Sequence, residues 1–253
     1  MIYQIIWWIG TALEIAVLSR SLRQKTFRIY SFFYSYIAIV FLTELGRYVA
    51  HMMYPAEYSK WFWRAEIPTL ILGCGIVLEI FRHVLAPYPG AEKFARRGGL
   101  FIFAAIFCFA WLYPWISGGG TIASSMSDLE RDLRTVQAIF LIGIIGVIAY
   151  YGVPLGGNVR GMILGYVLYI GTSLTSLAVG AQASAPMQLI WKAIQPISYD
   201  ITLGIWFVAL WAYRPNPAPD LSLQLGTDYE ALASKTRHAM DGVRSYLTRT
   251  AGS

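Results

Sequence analysis

The chain has 253 residues, of which 57% are hydrophobic and 13% are charged, and its formal net charge is +6. Because soluble domains contain about 25% charged residues, this composition excludes an ordinary soluble enzyme and is typical of an integral membrane protein. The positive charges lie mostly in the connections between apolar segments, so we expect no nucleic-acid partner.

Seven apolar segments are long enough to cross a bilayer, which takes about 20 helical residues. They lack the period-two alternation of barrel strands, so the sequence predicts an all-α, polytopic membrane domain over residues 1–213. No basic region precedes the first segment, and we expect an uncleaved helix rather than a signal peptide. The predicted spans are about 2–19, 29–51, 61–85, 99–117, 132–152, 160–182 and 189–213.

Lysine and arginine are distributed unevenly between the two sides of this predicted bundle. Cytoplasmic connections are enriched in these residues, so the richer side is predicted to be cytoplasmic, which gives an N-out, C-in topology. The richer side holds Arg20, Arg23, Lys25, Arg28, Arg82, Lys93, Arg96, Arg97, Arg160 and Arg214. The other side holds Arg47, Lys60, Arg64, Arg131, Arg134 and Lys192.

The first three segments resemble the last three. "WRAEIP" (63–68) returns as "WKAIQP" (191–196), and "LTEL" (42–45) returns as "LTSL" (174–177). Each of the prolines Pro68 and Pro196 is followed by a Pro-x-Pro motif at the same distance. Both triplets begin on the same side of the membrane, which predicts a parallel repeat about an axis along the membrane normal. The predicted layout is three, one, three: repeat 1 over about 1–90, a linker helix over 99–117, and repeat 2 over about 131–217.

One acidic residue lies near the middle of the predicted seventh span. A charged side chain there costs about 2.5–3.5 kcal/mol, so Asp200 needs a partner or a purpose. Pro196, one turn earlier, removes a backbone hydrogen bond, and Tyr199 is adjacent. The pattern indicates either a ligand or proton site at a kinked helix or a hydrogen bond to a neighbouring helix.

Further charges gather at the predicted outer ends of the helices. If the helices bundle, these side chains form an outward cup suited to an anionic or polar ligand. The alternative is local pairing, with Glu44 and Arg47 at i,i+3 spacing satisfying each other while long side chains reach the interface. The candidate ligand residues of this cup are Glu44, Arg47, Arg64, Glu66, Arg134 and Lys192, together with Asp200 and Tyr199.

The charged residues near the predicted cytoplasmic side indicate structural roles rather than catalysis or ligand binding. Glu79 and Arg82 are at i,i+3 spacing and predict a salt bridge. Glu14 has no local partner, so we expect it to reach another helix near Arg28 or Arg82. The histidines are scattered and no nucleophile–base pattern or glycine fingerprint occurs, so we expect no metal, no cofactor and no enzymatic activity.

The tail, residues 214–253, differs abruptly in composition. A Pro-rich linker follows the last span, and a capping box at 227–230 starts a helix with an apolar face and several basic residues. Such a helix lies on an anionic leaflet or docks a partner, so residues 227–249 are a candidate cytoplasmic contact. A solvated, frayed terminus is the alternative.

The chain resembles two groups of membrane proteins. The stretches 63–90, 134–141 and 152–166 resemble an uncharacterised group of bacterial seven-helix membrane proteins, which are similar to the sensing halves of membrane histidine kinases. This resemblance implies a multi-pass protein of the bacterial cytoplasmic membrane. The three-one-three layout also resembles that of SWEET and PQ-loop carriers, although the Pro-Gln dipeptide that names the loop is absent.

Three functions follow as hypotheses. The first is a sensor or receptor-like bundle that binds a small ligand and couples to a cytoplasmic partner. The second is a small-solute carrier in which the two triplets rock about the site. The third is a structural or accessory subunit of a larger membrane assembly, and oligomer formation is open in all three.

Overall fold

The computed structural model describes residues 2–53, 58–117, 122–180 and 184–217, and within the tail 230–231, 233–237 and 241. Within these residues every regular element is a helix, which confirms the all-α prediction. Seven long α-helices and one short 3₁₀ turn, Thr26–Arg28, follow one another in the described chain. The α-helices are α1 Ile2–Gln24, α2 Ser31–Met53, α3 Tyr58–Val84, α4 Pro89–Ser117, α5 Ile122–Tyr151, α6 Gly157–Gly180 and α7 Ala185–Ala209.

Several helices are longer than their apolar runs. Helix α5 begins at Ile122 rather than near 132, and ion pairs along the helix lie between Asp128 and Arg134. Arg131 contacts Asp128 at 3.0 Å and Arg134 contacts Glu130 at 2.8 Å, at i,i+3 and i,i+4 spacing. Polar residues therefore continue the helix where the apolar pattern stops.

Four of the described helical stretches have the length and composition to cross a membrane. They are Gln4–Gln24, Ala65–Val84, Asp128–Tyr151 and Gly157–Val179. Large apolar side chains also lie on the outside of the bundle, among them Phe101 (75% exposed), Tyr150 (78%) and Val208 (75%). Extended apolar surface of this kind suits contact with lipid, so the chain is compatible with a multi-helix membrane protein.

Six helices form a ring, and the seventh lies outside it. Helix α1 packs on α2, α2 on α3, α3 on α5, α5 on α6, α6 on α7, and α7 closes the ring on α1. Helix α4 packs against α3 and α5 from outside. We call the end at which α1, α3, α5 and α7 begin the upper end, and the opposite end the lower end.

Helices α6 and α7 approach each other closely because two glycines face the second helix. A Cβ atom on Gly165 would lie 2.3 Å from Nε1 of Trp206, and one on Gly161 would lie 2.1 Å from Cβ of Ala209. Trp206 is fully buried and stands edge-on to Phe33 at 4.9 Å between ring centroids. The missing side chains thus make room for the largest core residue at this interface.

The lower end is held by hydrogen bonds from the segment 210–217, which we call the strap. Asn158, at the start of α6, donates to the carbonyls of Ala209 and Ala212 at 3.0 Å each and accepts from the Arg214 amide at 2.6 Å. Asn216 accepts from the Gly156 amide at 3.0 Å and donates to the carbonyl of His83 at 3.1 Å. On α1, Arg20 and Gln24 both donate to the carbonyl of Trp211. The strap thereby joins α1, α3 and α6.

Glu79 closes a second lower-end contact. Its carboxylate accepts the backbone amides of Phe33 at 2.9 Å and Phe32 at 3.3 Å, at the start of α2. Arg82 lies 3.6 Å from the same carboxylate, so the i,i+3 pair indicated by the sequence is present. A buried carboxylate at a helix N-terminus satisfies free amides and complements the helix dipole.

Candidate functional site

A cavity of about 470 Å³ opens in the upper half of the ring. Its described lining residues come from five helices of the ring, all except α1. Its size falls in the range of about 300–1,000 Å³ that is usual for small-molecule sites. The lining side chains are Val40, Thr43, Glu44, Arg47, Phe62, Glu66, Thr69, Glu130, Arg134, Tyr169, Thr172, Ser173, Ser176, Leu177, Gln195, Pro196, Ser198 and Tyr199.

One side of the cavity is a network of four charged side chains. Arg47 of α2 forms a hydrogen-bonded ion pair with Glu66 of α3. Arg134 of α5 is only 6% exposed and contacts Glu130 at 2.8 Å and Glu66 at 3.7 Å. Glu66 therefore joins the two guanidinium groups and connects α2, α3 and α5.

The local pair between Glu44 and Arg47 that the sequence offered as an alternative is not formed. Arg47 instead crosses to α3, where Glu66 is nearly buried and lies between two arginines. Among the described side chains, Glu44 has no ion pair; it lines this cavity and also a second pocket between α1 and α2. The inter-helix partner wins because a charge pair removed from water interacts more strongly than one along an exposed helix face.

The opposite side of the cavity is neutral and polar. Thr172 of α6 and Ser198 of α7 share a hydrogen bond of 2.8 Å between their hydroxyl oxygens. One turn toward the upper end, Ser176 donates to the side-chain carbonyl of Gln195 at 3.1 Å. Pro196 lies between these pairs inside α7, where its ring removes one backbone donor. This wall offers hydroxyl and carbonyl oxygens to an occupant.

Tyrosines form the inner end of the cavity. Tyr169 and Tyr199 line it with ring centroids 5.8 Å apart, and Tyr36 lies behind them, 6.2 Å from Tyr169. The hydroxyl of Tyr199 donates to Oε1 of Glu14 at 2.7 Å. Glu14 is 0% exposed, and its Oε2 has no hydrogen-bond partner among the described residues; the same is true of the Tyr36 hydroxyl.

The structure brings together five of the eight predicted ligand residues. Glu44, Arg47, Glu66, Arg134 and Tyr199 all line the cavity. The side chains of Arg64 and Lys192 lie outside the described residues, although both positions belong to helices.

Asp200 is not part of the described cavity wall. It turns toward α1, where a Cβ atom on Gly10 would lie 2.7 Å from its Oδ1. Successive residues of an α-helix point about 100° apart, and Asp200 is turned away from the cavity that Ser198 and Tyr199 line. Tyr199 lines the cavity and bonds Glu14 of α1, whereas Asp200 contacts α1 at Gly10 without lining the cavity.

Glu14 reaches another helix, as expected, but not in the region of Arg82. It reaches α7 and bonds Tyr199, whereas Arg82 bonds the carbonyl of Ile29 at the lower end. Pro68, the first of the two repeated prolines, lies inside α3 and is exposed. The sequence interpretation therefore missed the contact between Glu14 and Tyr199, which draws α1 toward the cavity.

Other cavity residues were missed for want of a strong signal. Glu130 is four residues before Arg134, a spacing typical of a helical ion pair, but the predicted span began after it. Thr172, Ser173 and Ser176 share one face of α6, a pattern that also occurs where helices simply pack. No group of three or more potential metal ligands was found among the described residues.

Comparison with known proteins gives no family: no family model, curated protein or solved structure matches the chain. The side chains of the cavity are therefore the basis on which a function can be proposed.

Proposed function

We propose that all seven helices cross the bacterial cytoplasmic membrane, with the upper end outside and the lower end in the cytoplasm. Helices α2, α4 and α7 contain 23, 29 and 25 residues, each more than the roughly 20 that a span requires. The basic connections gather at the lower end, as expected for cytoplasmic loops. This topology places the cavity where it faces the periplasm.

The function that the geometry supports best is that of a sensor or receptor-like bundle for a small polar ligand. The observation that carries this proposal is the cavity of about 470 Å³ with charged side chains on one wall and hydroxyl and amide groups on the other. An occupant of this cavity would contact side chains from all five of its lining helices. Binding would then change how α2, α3, α5, α6 and α7 are held together.

Helix α7 connects this cavity to the tail. In the first half of α7, Gln195, Ser198 and Tyr199 line the cavity. The other end of the same helix leads into the strap. Beyond the strap, residues 233–237 are helical, within the segment 227–249 proposed to meet a cytoplasmic partner. A ligand that shifts α7 would therefore act on the strap and on the tail that follows it.

Binding can be tested in lipid nanodiscs by screening small polar molecules for an increase in apparent melting temperature. A ligand at 100 times its Kd stabilises the protein by about 2.7 kcal/mol. The matched variants are Ser176→Trp, which fills the cavity, and Thr175→Trp, which changes the neighbouring exposed residue. Stabilisation that survives Ser176→Trp, or that no compound produces, would contradict a ligand site in this cavity.

A solute carrier is the second candidate, because the order of the ring agrees with the proposed repeat. Exchanging α1, α2 and α3 for α5, α6 and α7 reproduces every neighbour pair of the ring, and α4 is left without a counterpart. A carrier of this design would have its site between the triplets, as the cavity is. Uptake of the bound compound into proteoliposomes separates the two candidates, since a receptor binds without flux.

A further inference from the structure

The charge of the cavity wall indicates the charge of the ligand. Among the described lining residues, three carboxylates, Glu44, Glu66 and Glu130, face two guanidinium groups, Arg47 and Arg134. Each arginine already contacts a carboxylate within the network. An anionic ligand would therefore have to displace Glu66 or Glu130 and leave that carboxylate without its partner, which is costly at a buried position.

Glu44 is the carboxylate that an incoming cation could meet without breaking an existing ion pair. It has no salt bridge among the described residues and stands in the cavity wall on α2. Two further carboxyl groups lie on the α1 side of the cavity: Glu14 accepts a hydrogen bond from Tyr199 of the cavity wall, and Asp200 lies against Gly10, one turn before Glu14. Carboxyl groups from α1, α2 and α7 therefore converge on the same part of the bundle.

The neutral wall of the same cavity suits an ammonium group that also carries polar substituents. A primary ammonium has three donors and no acceptor, so it needs several oxygen partners. The hydroxyls of Thr172, Ser176 and Ser198 and the amide of Gln195 supply such oxygens from α6 and α7. Tyr199 adds an aromatic ring, which also favours a nearby cation.

We propose that the cavity takes a small organic cation and that Glu44 holds its ammonium group. This inference rests on the proposed ligand-binding function and replaces the anionic or polar ligand expected from the sequence with a polar cation. It names the chemical class of the ligand, an amine with hydroxyl or carbonyl groups, and a single residue that selects it.

The charge preference can be measured without knowing the ligand. Ser176→Cys, and separately Thr172→Cys, place a thiol on the cavity wall in a Cys108→Ser background that removes an exposed native cysteine. Each variant in nanodiscs is treated with a cationic reagent, 2-(trimethylammonium)ethyl methanethiosulfonate, and an anionic one, 2-sulfonatoethyl methanethiosulfonate. The ratio of the two rates is divided by the same ratio for free 2-mercaptoethanol, which removes the intrinsic difference between the reagents.

We expect the normalised ratio to favour the cation by about tenfold, the effect of roughly one unit charge a few ångströms away in a medium between protein and water. Glu44→Gln should reduce the preference to about twofold or less, because it removes the charge and keeps the shape. Glu92→Gln is the matched control: Glu92 pairs with Arg96 on α4 and lies outside the cavity, so the ratio should not change.

The outcomes separate this inference from the proposed function. Reaction at either position without a cationic preference, or with a preference that Glu44→Gln leaves intact, overturns the inference while the cavity remains a binding site. Failure of both cysteines to react with either reagent, in protein that keeps the parent melting temperature, shows that the cavity is closed to water and contradicts the proposed function as well. Protection by ethanolamine, but not by ethylene glycol or glycolate, would extend the result from reagents to ligands.

Discussion

The two ends of the bundle use polar side chains in opposite ways. At the lower end, neutral amides such as Asn158 and Asn216 bond to backbone groups and fix the strap across the helix ends. At the upper end, charged side chains such as Arg134 and Glu66 bond to one another around an open space. Backbone groups cannot leave their partners without unfolding, whereas side-chain pairs can rearrange. We infer that the lower end contributes most to the stability of the fold and that the upper end rearranges when a ligand binds.

Asn158 at the lower end should give the greatest loss of stability. Asn158→Ala removes three hydrogen bonds at a residue that is 1% exposed. The carbonyls of Ala209 and Ala212 and the amide of Arg214 then lose this side-chain partner. We expect a loss of about 3 kcal/mol in stability, seen as a lower apparent melting temperature in nanodiscs. Asn158→Asp keeps the acceptor for the Arg214 amide but sets a carboxylate oxygen against the carbonyls of Ala209 and Ala212, so it should lose at least as much. A melting temperature equal to that of the parent would show that the strap is not a stabilising element.

Glu79 should follow Asn158 in the size of its effect. Glu79→Ala leaves the amides of Phe32 and Phe33 without their acceptor at the start of α2, and we expect a loss of about 2 kcal/mol. Glu79→Gln retains one acceptor oxygen and should lie between the parent and the alanine variant in the same melting experiment. An alanine variant as stable as the parent would contradict the capping role.

A smaller loss is expected at the inner end of the cavity. Tyr199→Phe removes the 2.7 Å bond to Glu14 and keeps the ring, so the fold should lose about 1 kcal/mol. The affinity for a cationic ligand should change by more than about 1 kcal/mol in binding free energy, because Tyr199 lines the cavity and Glu14 lies behind it. If Tyr199→Phe instead destabilises the protein as much as Asn158→Ala, the proposed division between the two ends is wrong.

The neutral wall should be the least sensitive to substitution. Ser176→Ala removes the 3.1 Å bond to Gln195 in a side-chain pair that remains accessible to water, and stability should change by no more than about 0.5 kcal/mol. The matched variant Thr175→Ala changes the adjacent residue outside the cavity and should be equally mild. A ligand found in the thermal screen should bind less tightly to Ser176→Ala and equally well to Thr175→Ala.

Much of this architecture could be predicted from the amino-acid sequence because apolar runs and basic connections are local signals. The all-α class and most of the charged wall followed from such signals, since Glu44, Arg47, Glu66 and Arg134 sit near helix ends that a bundle brings together. The seven spans, the topology and the repeat remain predictions.

The rest depends on which way a side chain turns and which helices meet. Glu14 and Tyr199 are 185 residues apart, and their contact exists only because α7 closes the ring on α1. Asp200 lies one residue from Tyr199 on α7, but it points toward Gly10 of α1 and does not line the cavity. Hydropathy fixes the depth of a residue in a span but not the rotation of its helix.

Native mass spectrometry of protein extracted in its own lipids shows most directly whether the upper cavity holds a small ligand. We predict a stoichiometric small molecule on the parent chain and on Thr175→Trp, and its loss from Ser176→Trp, whose side chain fills the cavity. A parent chain that carries no small molecule, even after the compounds of the thermal screen are added, would contradict a ligand site in the upper cavity. So would an adduct that persists unchanged in Ser176→Trp.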